Sequence, residues 1–157
     1  MLDNELIDMV KQIQLVRSES NRIEIKAANK GCPKVRDSLS SFSNQSGGGV
    51  IILGVDENEG YEVCSVYDAA DLMKKVEAQC QEMTPVIRPL FSVASIDGKT
   101  VVSAEIQEID NADKPCFYSG VGRLKGSYVR LGNADRLMTE YEVYSYEAFK
   151  KSIHDEL

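Results

Sequence analysis

KVRDSLSSFSNQSGGGVIILGVD, running from Lys34 to Asp56, reads as an amphipathic helix, a glycine corner and a buried strand in one short span. Pro33 stands where a first helical residue would fall, since its missing N–H would have no intrahelical partner there. Val35, Leu39 and Phe42 recur at helical spacing and predict a core-facing stripe. Gly47, Gly48 and Gly49 end the helix in a turn that permits positive φ or a close backbone approach. Val50 to Val55 is apolar and β-branched, the pattern of a strand buried on both faces. The remainder of the chain reads as packing against that strand.

Upstream, Arg22 to Ala28 alternates, with Ile23 and Ile25 on one face and Arg22, Glu24 and Lys26 on the other, which predicts a half-buried strand. Asn29-Lys30-Gly31 is turn chemistry leading to Pro33. Leu2, Leu6, Val10 and Ile13 form a helix-period stripe, with Asp3 and Asn4 suited to capping. Downstream, Asp56 to Gly60 predicts a hairpin turn and Tyr61 to Val66 a short returning strand. Asp68 can cap a helix from Ala69 to Met83, with Leu72, Val76 and Cys80 facing in and Pro85 and Pro89 stopping it. Leu90 to Ile96 and Thr100 to Ile109 alternate around Asp97-Gly98, the clearest hairpin signal in the chain. Cys116 to Tyr118 and Ser127 to Leu131 read as a further strand pair around Gly120-Val121-Gly122. Thr139 and Glu142 form a capping box ahead of Val143, Tyr146, Phe149 and Ile153. The expected fold is α/β in the α+β sense. It is a single domain over residues 1–157, a mixed, largely antiparallel sheet with three or four flanking helices.

With 157 residues, 43% hydrophobic and 27% charged, the composition is that of a globular domain. No apolar run reaches the roughly 18 residues of a membrane helix. The acidic start, MLDNELIDMV, lacks the basic region of a secretory signal. Cys32, Cys64, Cys80 and Cys116 are widely spaced, form no CxxC pair and read as reduced thiols of a cytoplasmic protein. His154 is the sole histidine, which removes histidine-dependent catalysis and His-rich metal sites. The net charge of −7 opposes generic polyanion binding, but the charge is uneven. Between Arg22 and Arg36, five basic residues face Glu24 alone. Between Lys114 and Arg136, five face Asp135 alone. Such tracts can build a local anion site on an acidic protein, and scattered solvated charge is the competing reading.

Three segments together resemble the Schlafen-type, Alba-like DNA-binding domain found at the N-terminus of bacterial transcriptional regulators and RecG-related helicases. The first is Glu19-Ser20-Asn21-Arg22-Ile23-Glu24-Ile25-Lys26. The second runs from Ser41 to Asp56, SFSNQSGGGVIILGVD, with Ser43 where the family usually carries alanine. The third is Lys114-Pro115 followed by Tyr128-Val129-Arg130-Leu131-Gly132. The match spans roughly residues 19 to 145. The resemblance implies a mixed α/β domain and nucleic-acid binding, followed in longer relatives by an ATPase-like segment and a winged-helix region. It also implies, from the eukaryotic Schlafen proteins, that Glu19, Glu24 and Asp56 could bind Mg²⁺ or Mn²⁺ and cleave RNA. Converging carboxylates hold such hard cations, which activate water and offset phosphate charge. The competing reading pairs Glu24 with Lys26 or a neighbouring strand and makes Asp56 a turn residue.

Gly47-Gly48-Gly49 is not a phosphate cradle, because it follows a helix C-terminus and no Gly-Lys-Ser/Thr comes after it. Asn44, with these glycines, reads as a structural turn. Arg130 beside Tyr128 could offer a bidentate phosphate contact, and a cross-strand ion pair is the alternative. The leading expectation is a non-enzymatic nucleic-acid-binding domain without a cofactor. Its phosphate contacts are Lys26, Lys30, Lys34, Arg123, Lys125 and Arg130, brought to a common side of the sheet. The alternatives are a divalent-metal-dependent RNase and a protein-interaction or homodimerisation module.

Overall fold

The computed structural model describes residues 1–156, without the side chains of residues 153–156. The expectations for Ile153 and His154 therefore lie outside the described side chains. The chain opens with helix α1 (Asp3–Val16), whose Leu6, Val10 and Ile13 are buried at the predicted spacing. Each such side chain contributes roughly 2 kcal/mol on burial. Strand β1 (Ile23–Lys26) follows. Helix α2 (Arg36–Asn44) begins three positions after Pro33, because Val35 is still non-helical. The Val35 N–H is taken instead by the Gln79 side chain at 2.9 Å.

Strand β2 (Gly49–Leu53) and the two-residue β3 (Val55–Asp56) are separated by Gly54 at φ +110°. A Cβ there would lie 2.9 Å from the Thr100 carbonyl oxygen, so only glycine fits the bend. The returning strand β4 (Glu62–Val63) is shorter than expected, because Tyr61 and Ser65 turn the chain at φ 63° and 64°. Helix α3 (Ala69–Gln81) is capped by Asp68, which accepts the Asp71 N–H at 3.0 Å. After β5 (Met83–Thr84), strands β6 (Leu90–Ile96) and β7 (Lys99–Ile106) form the predicted hairpin. Asp97 and Gly98 turn it at φ 51° and 79°, the two positive values of a type I′ turn.

The last third differs from expectation. Strand β8 (Phe117–Tyr118) pairs with β5, not with the segment after Ser127. The glycines near residue 121 lead into a short helix, α4 (Arg123–Gly126), rather than closing a hairpin. Strand β9 (Tyr128–Leu131) then pairs antiparallel with β10 (Ala134–Leu137), a strand the alternation did not reveal. A single bridge between Phe117 and Ser127 is what remains of the expected pairing. Helix α5 (Glu140–Glu156) starts at the Thr139–Glu142 capping box, with reciprocal bonds of 3.0 and 3.2 Å.

The main sheet has the order β1-β2-β7-β6, parallel between β1 and β2 and antiparallel elsewhere. On one face, Leu6, Val10 and Ile13 of α1 pack on Ile25, Ile52, Ala94 and Val101. On the other, Leu39, Phe42, Leu72 and Val76 of α2 and α3 pack on Ile51, Leu53, Val102 and Ala104. Strand β2 is thus covered on both faces, as its composition predicts. The α+β class and the mixed, largely antiparallel sheet are those expected, with five helices among the described residues rather than three or four. No helix among the described residues is long and apolar enough to cross a membrane.

Candidate functional site

The face of β1 that reads as solvent-facing is covered. The β9–β10 hairpin closes over it and inserts Arg130, whose side chain is 0% exposed. One guanidinium nitrogen, Nη1, donates to Glu24 at 2.6 Å and to Asp135 at 3.1 Å. The other, Nη2, donates to the backbone oxygens of Ile23 at 2.9 Å and Ser20 at 3.1 Å. Glu19 lies 3.7 Å from the same nitrogen. Asp135 faces Arg130 across the hairpin and accepts hydroxyl bonds from Ser38 and Ser41 of α2, at 2.7 and 2.6 Å. The guanidinium sits 5.1 Å from the Phe42 ring centroid, which adds cation–π attraction. Four elements meet on one side chain.

This cluster also closes the β1 edge of the sheet. Ile25 donates its outward N–H to Glu19 at 3.2 Å, the Ile23 carbonyl takes Arg130, and the Ile23 N–H reaches the Ser20 oxygen at 3.4 Å. Burial and the nearby Glu24 charge push the Glu19 carboxyl up to about 7. Burial opposes the charge on Arg130, but its bonds to Glu24 and Asp135 outweigh that and raise its pKa.

The sequence-predicted phosphate contacts divide accordingly. Arg130 is enclosed, and both of its terminal nitrogens are taken by carboxylates and carbonyls while its buried Nε is left without a partner. It is a structural tie, the cross-strand ion-pair alternative, and not a phosphate contact. Lys26 is on the same side of the sheet but pairs with the other oxygen of Glu24 at 3.3 Å, so a carboxylate stands between the two cations. Lys30, Lys34, Arg123 and Lys125 are exposed. Arg123 pairs with Glu147 and lies 5.6 Å from the Phe117 ring. Lys34 and Lys125 line a cleft of about 250 Å³ with Arg36, Asp37, Tyr118 and Tyr128. Arg36 stacks on Tyr118 at 4.4 Å while bonding Glu82 at 2.6 Å. Burial and then the Asp135 charge raise the Asp37 pKa, and burial and Asp37 raise that of Tyr128. Sequence reading placed Tyr128 beside Arg130 and did not join it with Tyr118, because the two tyrosines sit on separate short strands. Arg36 lay within the first basic tract and was the available signal.

Of the candidate metal ligands, Glu19 and Glu24 meet at Arg130 rather than at an open cation site. Arg130 occupies the space beside Glu19 and Glu24 that a cation would take, and Asp56 accepts the Asn58 N–H at 2.9 Å within its own turn. Among the described residues, no group of three or more His, Cys, Asp or Glu is placed to hold a metal ion. The carboxylates as arranged do not fit a divalent cation.

Asn44 does more than shape a turn. Its amide donates to the Cys116 and Tyr128 carbonyls, both at 3.1 Å, and accepts the Cys116 N–H at 2.7 Å. The second sequence motif is thereby bonded to the third. Gly47 and Gly48 do turn the chain, at φ 82° and 69°, and Gly49 leaves room for the Phe42 ring.

Comparison with solved structures finds the N-terminal domain of an ATP-dependent DNA helicase RecG-related protein from Nitrosomonas europaea. It is 26% identical with a TM-score of 0.65, covering 85% of this chain and 93% of that one. A Corynebacterium diphtheriae protein matches at 16% identity with a TM-score of 0.55, and this chain spans 29% of its length. That second likeness concerns the fold alone. No curated protein matches the chain. The family model described as Schlafen, AlbA_2 matches residues 19–139, which take in the capped β1 edge, the glycine corner, the buried Arg130 and the Tyr118–Tyr128 cleft. The chain belongs to the Schlafen AlbA_2 family.

Proposed function

We propose that this domain binds nucleic acid, gripping phosphates with Lys34 and Lys125 and using Lys30 and Arg123 on the approaches. It would serve as the nucleic-acid-contacting part of a transcriptional regulator or RecG-related helicase-like protein in the bacterial cytoplasm. The observation that carries the reading is the cleft between the start of α2 and the β8–α4–β9 segment. Two exposed lysines and a guanidinium stacked on Tyr118 meet there with Asp37 as the lining's one carboxylate. Basic groups that follow a phosphate backbone beside aromatic rings suit single-stranded or looped nucleic acid. The family, and the similarity to a domain from a protein named for DNA helicase, point the same way.

The test is titration with duplex DNA and with structured RNA, each with and without Mn²⁺. Affinity should fall steeply with salt. The Lys34→Ala/Lys125→Ala double variant should flatten the log–log salt slope by about two, one per lost phosphate contact. Absence of binding at low salt, or binding untouched in the double variant, refutes the proposal. Mn²⁺-dependent RNA cleavage lost in Glu24→Gln would favour the nuclease alternative.

A further inference from the structure

The two edges of the main sheet are treated differently. At β1, Glu19 takes the Ile25 N–H, Arg130 the Ile23 carbonyl and the Ser20 carbonyl the Ile23 N–H, as described above. At β6 nothing does. The two-residue turn at Asp97-Gly98 makes Ile96 and Lys99 a hydrogen-bonded pair. Alternation then sends the N–H and C=O groups of Ile96, Ala94, Ser92 and Leu90 toward β7. Those of Phe91, Val93 and Ser95 point away from the sheet. Among the described residues, no backbone group bonds to them.

Exposed edge strands usually carry a charge, a proline or a bulge that blocks pairing with another chain. Strand β6, LFSVASI, has no charge and no proline, and pairs with β7 residue for residue without a bulge. Leu90 is 51% exposed and Val93 37%. The strand also matches itself. Laid antiparallel on a second copy about Val93, it sets Val93 opposite Val93, and Phe91 opposite Ser95 on both sides. Every outward donor then meets an outward acceptor, and the side-chain faces stay in phase.

We infer that β6 is a self-association edge: two copies of the chain join β6 to β6 about a two-fold axis at Val93, making one continuous eight-stranded sheet. The second copy is the occupant because the register closes on itself, as an isologous contact must. One strand pair buries little area, so the dimer is weak and concentration-dependent. Each chain carries a net charge of −7, so added salt relieves repulsion and strengthens the dimer, the opposite of its effect on nucleic-acid binding.

The experiment is sedimentation velocity on the full chain from about 1 μM to about 1 mM. The wild-type mass should climb toward twice the monomer value, and more readily at high salt. Val93→Pro deletes only an outward N–H and spares the β7 ladder. It should stay monomeric with an unchanged far-UV circular dichroism spectrum. Should that variant misfold, Val93→Lys, which sets two ammonium groups face to face across the axis, takes its place. A wild type that stays monomeric throughout, whether the edge takes a foreign strand or none, overturns the inference. So does a dimer that survives in the folded variant.

Discussion

Arg130→Ala tests the claim that one guanidinium holds the β9–β10 hairpin on the sheet. The substitution deletes a 2.6 Å bond to Glu24, a 3.1 Å bond to Asp135 and the two bonds to the carbonyls of Ile23 and Ser20. Glu24 and Asp135, at 11% and 14% side-chain exposure, are left without their buried counter-charge. Breaking a buried pair from one side costs about 3–5 kcal/mol, far more than losing a surface bridge. For a domain of this size that is a fall in Tm of roughly 6–20 °C. Arg130→Lys should recover less than half of it, because one ammonium cannot serve two carboxylates and two carbonyls in a planar fork. Urea unfolding followed by far-UV circular dichroism gives the loss directly. A loss below about 1 kcal/mol would show the cluster to be solvent-screened and refute the reasoning. Near-wild-type stability with lost nucleic-acid affinity would restore the phosphate-contact role that burial argues against.

Three further outcomes are expected. With the folded-state pKa of Glu19 near 7 against an ordinary 4.5, the native state holds that proton more tightly than the unfolded chain. Stability should therefore decline as pH rises from the lower value through the upper, then level off. Glu19→Gln should abolish that decline, and an identical pH slope in both proteins would count against it. Gly48→Ala places a Cβ 2.1 Å from the Ile106 carbonyl oxygen at φ 69°, whereas Gly47→Ala meets only the far end of the Arg22 side chain. The first should cost at least about 3 kcal/mol and the second markedly less, with equal losses in urea melts counting against the geometry. Asn44→Ala strands the buried Cys116 N–H and should cost about 2–3 kcal/mol by the same assay, with the hairpin amides of β9 losing hydrogen-exchange protection first. Uniform protection across the chain would contradict that order.

Much of the architecture was legible because its signals are local. The β6–β7 hairpin carries a two-residue turn between alternating runs, α3 begins at an aspartate cap, and the apolar run from Val50 has no polar face to leave in water. The site was less legible because its partners are remote in sequence. Glu24 and Arg130 are 106 positions apart, and the cation visible near Glu24 in the sequence is Lys26, which takes only one of its two oxygens. The alternation of β1 reads as half-solvated, whereas the lid over its polar face arrives with β9. Asn44 shows the same effect, since the groups that occupy its amide lie 72 and 84 residues downstream. Strand β10 escaped notice because Ala-Asp-Arg-Leu has no apolar alternation, and its place depends on Asp135 meeting Arg130. The basic tracts were visible as composition. Which of their members are free, and which are consumed by carboxylates, is a matter of packing.

The capped β1 edge also limits how this sequence can drift. Glu24, Arg130 and Asp135 satisfy one another across strand β1 and the β9–β10 hairpin, so replacing any one alone strands the remainder away from water. Stepwise neutral exchange at these three positions is closed. Homologous chains should keep all three or replace them as a set, with an apolar trio filling the same volume as the accessible endpoint.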